Sequence, residues 1–473
     1  MKKKIYGVIL LIGTGMVINT CFISPAISQP LAGGANHSLA LCIDSTVKAW
    51  GLGTKGQLGN GTNVSSYVPI NVTGLNGIIA VAAGGVHSVA LKEDGTVWTW
   101  GLNDHGQLGD NTVIDRNTPQ QTGLTNVVAI STGFHHSLAL KSDSTVWAWG
   151  YNMHGELGDG TTTDRLVPTQ VIGLSGVIAI EAGYHHSLII KSDSTAWSWG
   201  WNYYGELGDG TTIQRTTPVQ VSNLTSVKTI SGGSYISIAQ KNDGTVWAWG
   251  LNSFGQIGDG TNIDRYTPVQ ILSSYQVKSV LAQYWSCKAV KNDGTVLTWG
   301  LNDFGNFGDS TLTGSNVPVQ NGLYDIAGIY GMQHHTFALK TDGTVWAWSE
   351  NQEGQIGNGT IDSIGGAEPC WCKKYPVELT GLCIISSHIT SHDMETQPRV
   401  EFFPNPVFDE LNIKISGKGK NLLKIYDALG ATIISKQMNA GSIIIDFSKQ
   451  AGGIYFAKII SADKIFYQKI IKQ

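Results

Sequence analysis

The sequence predicts an all-β protein, a seven-bladed β-propeller followed by a small C-terminal β-sandwich. The first observation is a tryptophan that returns every 49 or 50 residues, the mark of one structural unit in seven copies. The second is a composition with 59 glycines and only 14% charged residues, which suits short strands joined by tight turns. The third is the loss of this period near residue 400. The periodic tryptophans are Trp50, Trp100, Trp149, Trp199, Trp249, Trp299 and Trp348.

Residues 1–28 are expected to be a signal peptide. Lys2, Lys3 and Lys4 precede an apolar run to about Phe22, and Ala26-Ile27-Ser28 matches the small-residue pattern of a cleavage site. A membrane anchor made by the same run is the alternative, but the run is short and the cleavage pattern follows it. We therefore expect export through the periplasm to the medium or the cell surface, with no membrane span after cleavage.

The third copy shows how one repeat is built. Gly133 separates two short apolar runs, and Asp143-Ser144 forms the next turn, where sister copies have Asp-Gly, the strongest hairpin signal. A long loop over 152–166 precedes an outer strand, in which Pro168 is tolerated because an edge lacks one ladder partner. The four expected strands are 127–131, 136–141, 145–150 and 168–171.

Four antiparallel strands per repeat indicate a propeller over residues 29–387, with a linear β-solenoid as the alternative. The first copy begins almost at its second strand, near His37, whereas Thr380–Ser387 after the seventh copy resembles a first strand. We expect the end of the chain to supply the strand that the first copy lacks, which would close the ring.

The repeats also carry a family resemblance. The pattern Gly-x-x-His-Ser-x-x-Leu, Asp-Gly-Thr-Val-Trp-x-Trp-Gly and Asn-x-x-Gly-Gln-Leu-Gly resembles the repeat of the regulator of chromosome condensation family. The resemblance implies the propeller fold but not one function, because members include a nuclear guanine nucleotide exchange factor, chromatin binders and an exported β-lactamase inhibitor. Departures such as Ile236 and Ser286 in place of the repeat histidine indicate that this histidine is structural.

The tail, residues 400–473, has a different pattern. Pro404-Asn405-Pro406, Tyr426-Asp427, Gly453-Ile454-Tyr455 and a basic last strand resemble the C-terminal sorting domain of type IX secretion cargo in Bacteroidetes. The resemblance implies a small β-sandwich that engages the type IX secretion machinery; an ordinary accessory sandwich is the alternative. Polar residues 388–399 are expected to form the linker.

Two loops of each repeat are predicted to carry binding. The connections from the first to the second strand and from the third to the fourth leave one face, and there the copies stop agreeing while aromatic and histidine residues accumulate. Packing of these rings between neighbouring loops is the structural alternative. The candidate binding residues are Phe134, His135, Tyr184, His185, Tyr235, Tyr284, Trp285, His334, His105, His154, Tyr203, Tyr204, Phe254, Phe304 and Trp371.

No catalytic residue, cofactor or metal is expected. The recurring histidine of the repeat, as in His136, is better explained by a hydrogen bond that locks a turn than by catalysis. His135, His185 and His334 come from different blades without a supporting carboxylate pattern, so a metal site is not predicted. Glu156 and other copies' glutamines share one position, which argues against a glycosidase carboxylate pair.

Five cysteines remain after signal cleavage, so they cannot all pair within the chain. We expect a disulfide of Cys370 or Cys372 with Cys383. Cys42 and Cys287, in different repeats, are expected to be unpaired thiols.

These observations favour an exported, monomeric, non-enzymatic protein that binds an extracellular protein or glycan through its loop face. An enzyme acting on an extracellular polymer at the mouth of the central channel is the alternative. The mature segment 29–398 carries a formal net charge of −12, which argues against nucleic acid as a partner. Acidity and export also count against nucleotide exchange, which the family name alone suggests.

Overall fold

The computed structural model describes residues 30–273, 277–333, 335–362, 370, 372–382, 399–403, 409–416, 421–426, 432–438, 441–451, 453–461 and 464–472. The chain divides into two compact units, Met1–Ile385 and Ser386–Gln473. The predicted signal peptide, residues 388–398 of the predicted linker, His334, Trp371 and Cys383 lie outside the described residues.

The first unit consists of seven four-stranded antiparallel sheets, which confirms the predicted propeller. Each sheet is a meander in which chain order and spatial order coincide. The innermost strands are β1 (Leu31–Gly33), β5 (Ile78–Ala83), β9 (Val127–Thr132), β13 (Val177–Ala182), β17 (Val227–Gly232), β21 (Val277–Ala282) and β25 (Ile326–Tyr330). The second strands are β2 (His37–Leu41), β6 (His87–Lys92), β10 (His136–Lys141), β14 (His186–Lys191), β18 (Ile236–Lys241), β22 (Ser286–Lys291) and β26 (His335–Lys340).

The outer half of each blade follows the same scheme. The third strands are β3 (Val47–Gly51), β7 (Val97–Gly101), β11 (Val146–Gly150), β15 (Ala196–Gly200), β19 (Val246–Gly250), β23 (Val296–Gly300) and β27 (Val345–Glu350). The outermost strands are β4 (Ser66–Asn71), β8 (Arg116–Gln121), β12 (Arg165–Gln170), β16 (Arg215–Gln220), β20 (Arg265–Leu272), β24 (Ser315–Gln320) and β28 (Cys372–Leu379).

The hairpin between the second and third strands follows its turn chemistry. In the third blade, Asp143 Oδ1 accepts hydrogen bonds from the backbone N–H and the hydroxyl of Thr145, at 3.0 and 2.6 Å. Ser144 adopts φ 65°, a left-handed conformation that the Asp-Gly copies supply with glycine. The short polar side chain and the left-handed residue thus fix the register in which Ser137 lies opposite Trp149.

The periodic tryptophan joins neighbouring blades. All seven are fully buried, and each indole N–H donates to a backbone carbonyl of the preceding blade, as in Trp149 to Gln107 at 2.9 Å. The Ser137 hydroxyl donates to the same carbonyl at 3.2 Å. Because the acceptor lies in the third-to-fourth connection of the preceding blade, each tryptophan also anchors a loop of its neighbour.

The repeat histidine bridges blades as well, which corrects the expectation that it locks a turn. His136 Nε2 lies 3.1 Å from the hydroxyl of Ser187 in the next blade, and since that hydroxyl already donates to the Glu156 carbonyl, the imidazole is the donor. Gly133 is required here because a Cβ atom would lie 2.1 Å from Cε1 of the His136 ring. The motif Gly-x-x-His-Ser is therefore an inter-blade joint.

The ring closes with the same joint. The expectation that the first copy lacks a first strand is wrong, and residues 383–387 of the segment expected to supply that strand lie outside the described residues. His335 of the seventh blade lies 2.8 Å from the Ser38 hydroxyl, and Trp50 Nε1 donates to the Gln355 carbonyl at 2.9 Å. The first blade has its own first strand, in which Leu31 pairs with Ala40. This strand was not predicted because it is only three residues long, Leu-Ala-Gly, and so shows no strand pattern in the sequence.

The sixth blade replaces the histidine joint by a polar network. Ser286 occupies the histidine position, and buried Lys288 donates to Gln283 Oε1 and to the Ser286 hydroxyl, the latter at 3.3 Å. Gln283 in turn accepts from Thr336 and donates to the His335 carbonyl. The loss of one histidine is thus offset by three other polar side chains.

The cysteines do not pair as predicted. Cys370 and Cys372 form a disulfide with each other, with Cα atoms 5.2 Å apart, within the range that a disulfide spans. The predicted pairing of either residue with Cys383 is therefore wrong, and Cys42, predicted to be a free thiol, is disulfide-bonded. Cys287 is a free, buried thiol, as expected.

The second unit has the predicted two-sheet arrangement of a small β-sandwich. The strands are β29 (Arg399–Phe403), β30 (Glu410–Ser416), β31 (Asn421–Tyr426), β32 (Thr432–Met438), β33 (Gly441–Asp446), β34 (Gly453–Ser461) and β35 (Lys464–Lys472). One sheet has the order β29-β30-β33 and the other β32-β31-β34-β35. The core of this unit contains Leu411, Ile413, Leu423, Ile425 and Phe447, all fully buried.

Candidate binding face

The two sets of variable loops meet on one face of the propeller. His105, in the third-to-fourth connection of the second blade, has its ring centroid 5.4 Å from that of His135, in the first-to-second connection of the third blade. Phe254 and Trp285 make the equivalent contact between the fifth and sixth blades, also at 5.4 Å. We call the surface formed by these connections the loop face.

Tyr184 lies at the centre of the aromatic residues on the loop face. Its ring stacks on Phe134 with centroids 4.1 Å apart and planes 10° from parallel. It also contacts Tyr235 at 6.4 Å and Tyr284 at 5.9 Å, and Tyr284 contacts Trp285 at 4.2 Å. Four first-to-second connections therefore contribute to one continuous aromatic cluster.

A second group of rings surrounds Tyr151. Its ring lies 4.8 to 6.2 Å from four imidazoles, which belong to His105, His135, His154 and His185. His185 also contacts Tyr184 at 4.5 Å, which joins this group to the first one. The rings of both groups therefore form one surface, the aromatic patch, that extends from the second to the sixth blade.

Tyr151 and Trp201 are patch residues that the sequence analysis missed. They follow the glycine of the Trp-Gly pair, where four sister copies have leucine, as in Leu102. Trp201 contacts His154 at 4.2 Å and Tyr203 at 6.1 Å. Alignment of the copies one residue beyond that glycine would have shown both, because large aromatic residues replace leucine there only in the third and fourth copies.

The remaining predicted residues differ in exposure. Tyr203 is 66% exposed and Phe254 is 43% exposed, whereas Tyr204 is half-buried and contacts Tyr235 at 5.4 Å. Phe304 is half-buried in the corresponding connection of the sixth blade. His334 and Trp371 lie outside the described residues, so their part in the patch stays a prediction.

Three imidazoles of the patch have a lowered pKa. Burial lowers the pKa of His135 and of His185 to about 4, and it also lowers the pKa of His154. His105 Nδ1 lies 2.8 Å from Asp164 Oδ2. Neutral rings of this kind offer both a hydrogen-bond donor and an acceptor near neutral pH.

Two buried carboxyl groups lie under the patch. Glu156 and Glu206 are fully buried, and one oxygen of each accepts a loop N–H, from His154 at 2.8 Å and from Tyr204 at 2.9 Å. Their Oε1 atoms have no hydrogen-bond partner, although that of Glu156 lies 3.4 Å from His185 Nδ1. Burial raises the pKa of Glu156 to about 7 and that of Glu206 to about 8.

The central channel has a different character from the patch. Small residues of the innermost strands form much of its wall, as in Ala82, Ala182 and Gly232, together with Glu181. Burial raises the pKa of Glu181 to about 8, and Ser131 donates a hydrogen bond to it. Within the described part of the chain, no group of three or more histidine, cysteine, aspartate or glutamate residues could hold a metal ion.

Family comparisons agree with this architecture. The RCC1-like domain family matches residues 21–282, more than half of the chain, and the regulator of chromosome condensation (RCC1) repeat matches residues 333–355. The chain belongs to the RCC1-like family. A secretion-system C-terminal sorting domain matches residues 401–473, which marks this RCC1-like protein for secretion or display at the cell surface.

Solved structures support the RCC1-like fold. Prp20p from Saccharomyces cerevisiae, described with its binding to Gsp1p and histones, is 22% identical with a TM-score of 0.61, over 74% of this chain and 87% of its own. Yeast RCC1 (Prp20) bound to Kap60 is 20% identical with a TM-score of 0.63, over 85% of this chain and 93% of its own. Human WBSCR16 is 23% identical with a TM-score of 0.59, over 66% of this chain and 85% of its own. At these identities the likeness concerns the fold alone.

No curated protein sequence matches this RCC1-like chain. The described ranges contain no helix that could cross a membrane.

Proposed function

We propose that this RCC1-like protein is an exported, non-enzymatic binding protein whose aromatic patch engages an extracellular protein or glycan. The observation that carries the proposal is the continuity of the patch, in which rings from five consecutive blades contact one another around Tyr184 and Tyr151. Rigid aromatic side chains on loops provide large contact areas at low entropic cost.

Comparison between blades argues against a purely structural role for these rings. The second blade has Gly85 and Val86 where the third has Phe134 and His135, and its first-to-second connection still makes the inter-blade joint through His87. The fold therefore does not require aromatic residues at these positions. Ring-to-ring packing is compatible with binding, because preorganised side chains lose less entropy when a partner arrives.

The export route follows from the tail. We propose that residues 400–473 direct the mature chain through the type IX machinery after passage through the periplasm, and that the propeller acts as a monomer outside the cell. The propeller is acidic, and loop arginines form ion pairs with aspartates of their own blade, for example Arg165 with Asp159 at 2.6 Å and Arg215 with Asp209 at 2.7 Å. These arginines are therefore not available to bind nucleic acid.

The direct test uses the mature chain as bait in culture supernatant and on extracted surface glycans. Substitution of Tyr184, Tyr235 and Trp285 by alanine is expected to abolish capture of a specific partner while the β-sheet circular dichroism spectrum is unchanged. Tyr375→Ala is the matched control, because this tyrosine is 43% exposed on an outermost strand. Capture that survives the triple substitution would overturn the proposal.

Hydrolysis of an extracellular polymer is the second candidate, favoured by the raised pKa values of Glu156 and Glu206. Glycoside hydrolysis uses one protonated and one ionised carboxyl on either side of the scissile bond. Both side chains are, however, fully buried beneath the patch and anchored to loop N–H groups. Polymer degradation by the purified chain, lost in Glu206→Gln, would favour the enzyme over the binding protein.

A further inference from the structure

The position of Glu156 and Glu206 distinguishes the third and fourth blades from the other five. The equivalent residue is an amide in every other copy, namely Gln57, Gln107, Gln256, Asn306 and Gln355. The contribution of this residue to the fold comes from its backbone and does not depend on whether the side chain is an acid or an amide. The backbone carbonyls of Gln107 and Glu156 both accept a hydrogen bond from a tryptophan of the next blade. An amide would therefore serve the fold in these two blades as well.

Burial of the Glu156 and Glu206 carboxyl groups costs free energy in their ionised form, and the Oε1 atom of each has no hydrogen-bond partner to offset it. An ionised side chain without a cationic partner is costly to bury. The amide nitrogens of Gln57, Gln256 and Gln355 are likewise unpartnered, whereas those of Gln107 and Asn306 donate to Asp104 and to the Leu301 carbonyl. What differs in the third and fourth blades is the chemistry of the buried group, a carboxyl oxygen that is negatively charged when ionised instead of an amide N–H donor.

Rings of the patch lie close to these acids. Tyr235 is half-buried, and the charge of Glu206 contributes to its raised pKa. Tyr204, whose N–H holds the Glu206 carboxylate, contacts Tyr235 edge to face at 5.4 Å. In the third blade, His185 Nδ1 lies 3.4 Å from Glu156 Oε1, and the charge of Glu156 contributes to the raised pKa of Tyr151.

We propose that these rings and the buried carboxylates beneath them form two neighbouring sites for ammonium groups, which would take lysine side chains of a partner protein. Ring faces attract cations, most strongly when water is excluded, and a carboxylate in a poorly solvated layer below the rings adds Coulomb attraction that a glutamine cannot provide. This inference rests on the proposed function and names the partner's chemistry.

The protonation of the acids links binding to pH. The groups that face Glu156 are His154, His185, Asp164 and Tyr151, and those that face Glu206 are Tyr204, Tyr235 and Asp264. Burial lowers the pKa of both facing imidazoles, that of His185 to about 4, so they favour the neutral form as the glutamates ionise. A lysine side chain remains charged up to pH 9. Binding should therefore strengthen between pH 6 and pH 8 as the glutamates ionise, with release of protons.

Isothermal titration calorimetry of the mature chain with a capped hexalysine peptide tests the proposal. The affinity is expected to rise about tenfold from pH 6 to pH 8, and Glu156→Gln/Glu206→Gln should weaken it at pH 8 by about tenfold and remove the pH dependence. Asp94→Asn/Asp193→Asn removes the same net charge from hairpin turns and should leave the affinity unchanged. Gln57→Glu, which adds the acid where Lys55 and Val86 stand in place of Tyr204 and Tyr235, should not increase it.

Two results would overturn the ammonium sites. One is the absence of hexalysine binding, and the other is binding that the Glu156→Gln/Glu206→Gln variant retains in full. Binding of cellohexaose that survives this variant but is lost with Tyr184→Ala/Tyr235→Ala/Trp285→Ala would overturn the cationic partner and leave the binding function standing. Retention of the native partner by the triple alanine variant would instead remove the proposed function itself.

Discussion

The Ser38 hydroxyl lies 2.8 Å from Nε2 of His335, although 297 positions separate the two residues in the chain. The same hydroxyl donates to the Gln355 carbonyl at 2.8 Å. Each of these contacts repeats one found between neighbouring blades elsewhere in the ring. The first and seventh blades are thus joined in the same way as the neighbouring blades from the first to the fifth.

Removal of this hydroxyl tests how the ring closes. Ser38→Ala is expected to lower the free energy of unfolding by about 1–3 kcal/mol, because a buried imidazole N–H and a carbonyl each lose a partner. Urea unfolding followed by tryptophan fluorescence measures the change. Ser137→Ala removes the equivalent bonds within the ring and should have a similar effect. If Ser137→Ala destabilises the propeller while Ser38→Ala does not, closure depends on another contact.

Acid should weaken the propeller through its joint histidines. Burial lowers the pKa of His37, His87 and His186 to about 3. The unfolded chain therefore binds more protons between pH 6.5 and pH 3, and stability falls over this interval as the pH falls. Each histidine contributes a slope of about 1.4 kcal/mol per pH unit.

His87→Ile isolates one of these contributions, because isoleucine naturally stands at this position as Ile236 and is fully buried. The variant should show a shallower loss of stability between pH 6 and pH 4 in urea titrations at fixed pH. An unchanged slope would mean that His87 is not the group that titrates.

The buried glutamates should act in the opposite direction. Since the pKa of Glu206 is raised to about 8 in the folded protein from an ordinary value of 4.5, the folded state holds its proton longer, and stability falls as the pH rises from 4.5 to 8. Glu206→Gln is therefore expected to stabilise the propeller at pH 9 relative to pH 5. Thermal unfolding at the two pH values measures this; equal effects at both would contradict it.

Much of the fold could be predicted from the sequence repeat, because the tryptophan that returns at a constant period is the residue that packs each blade against the preceding one. The short first strand escaped notice since three small residues, Leu31 to Gly33, carry almost no strand signal. The patch was predicted from disagreement among copies, yet Tyr151 and Trp201 were missed one residue outside the aligned positions. The Cys370–Cys372 disulfide was not foreseen because sequence spacing alone does not fix a pairing.

The reactivity of the cysteines tests which of them are in disulfides and which is free. Cys42, Cys370 and Cys372 are in disulfides and Cys287 is free and buried, so Cys287 is the one thiol among the described cysteines. Treatment with iodoacetamide without reductant, followed by peptide mapping, should leave Cys287 unmodified in the native protein and alkylate it after unfolding in guanidinium chloride. Alkylation of Cys42, Cys370 or Cys372 in the unfolded, unreduced chain would contradict this assignment.

The aromatic patch is the centre of the functional account, and Tyr184 is the centre of the patch. The most direct measurement is capture of a specific extracellular partner by the mature chain, compared with the Tyr184→Ala/Tyr235→Ala/Trp285→Ala variant and with Tyr375→Ala. The account predicts that the triple variant loses the partner while its unfolding midpoint stays close to that of the wild type, and that Tyr375→Ala retains it. Undiminished capture by a folded triple variant would contradict the account.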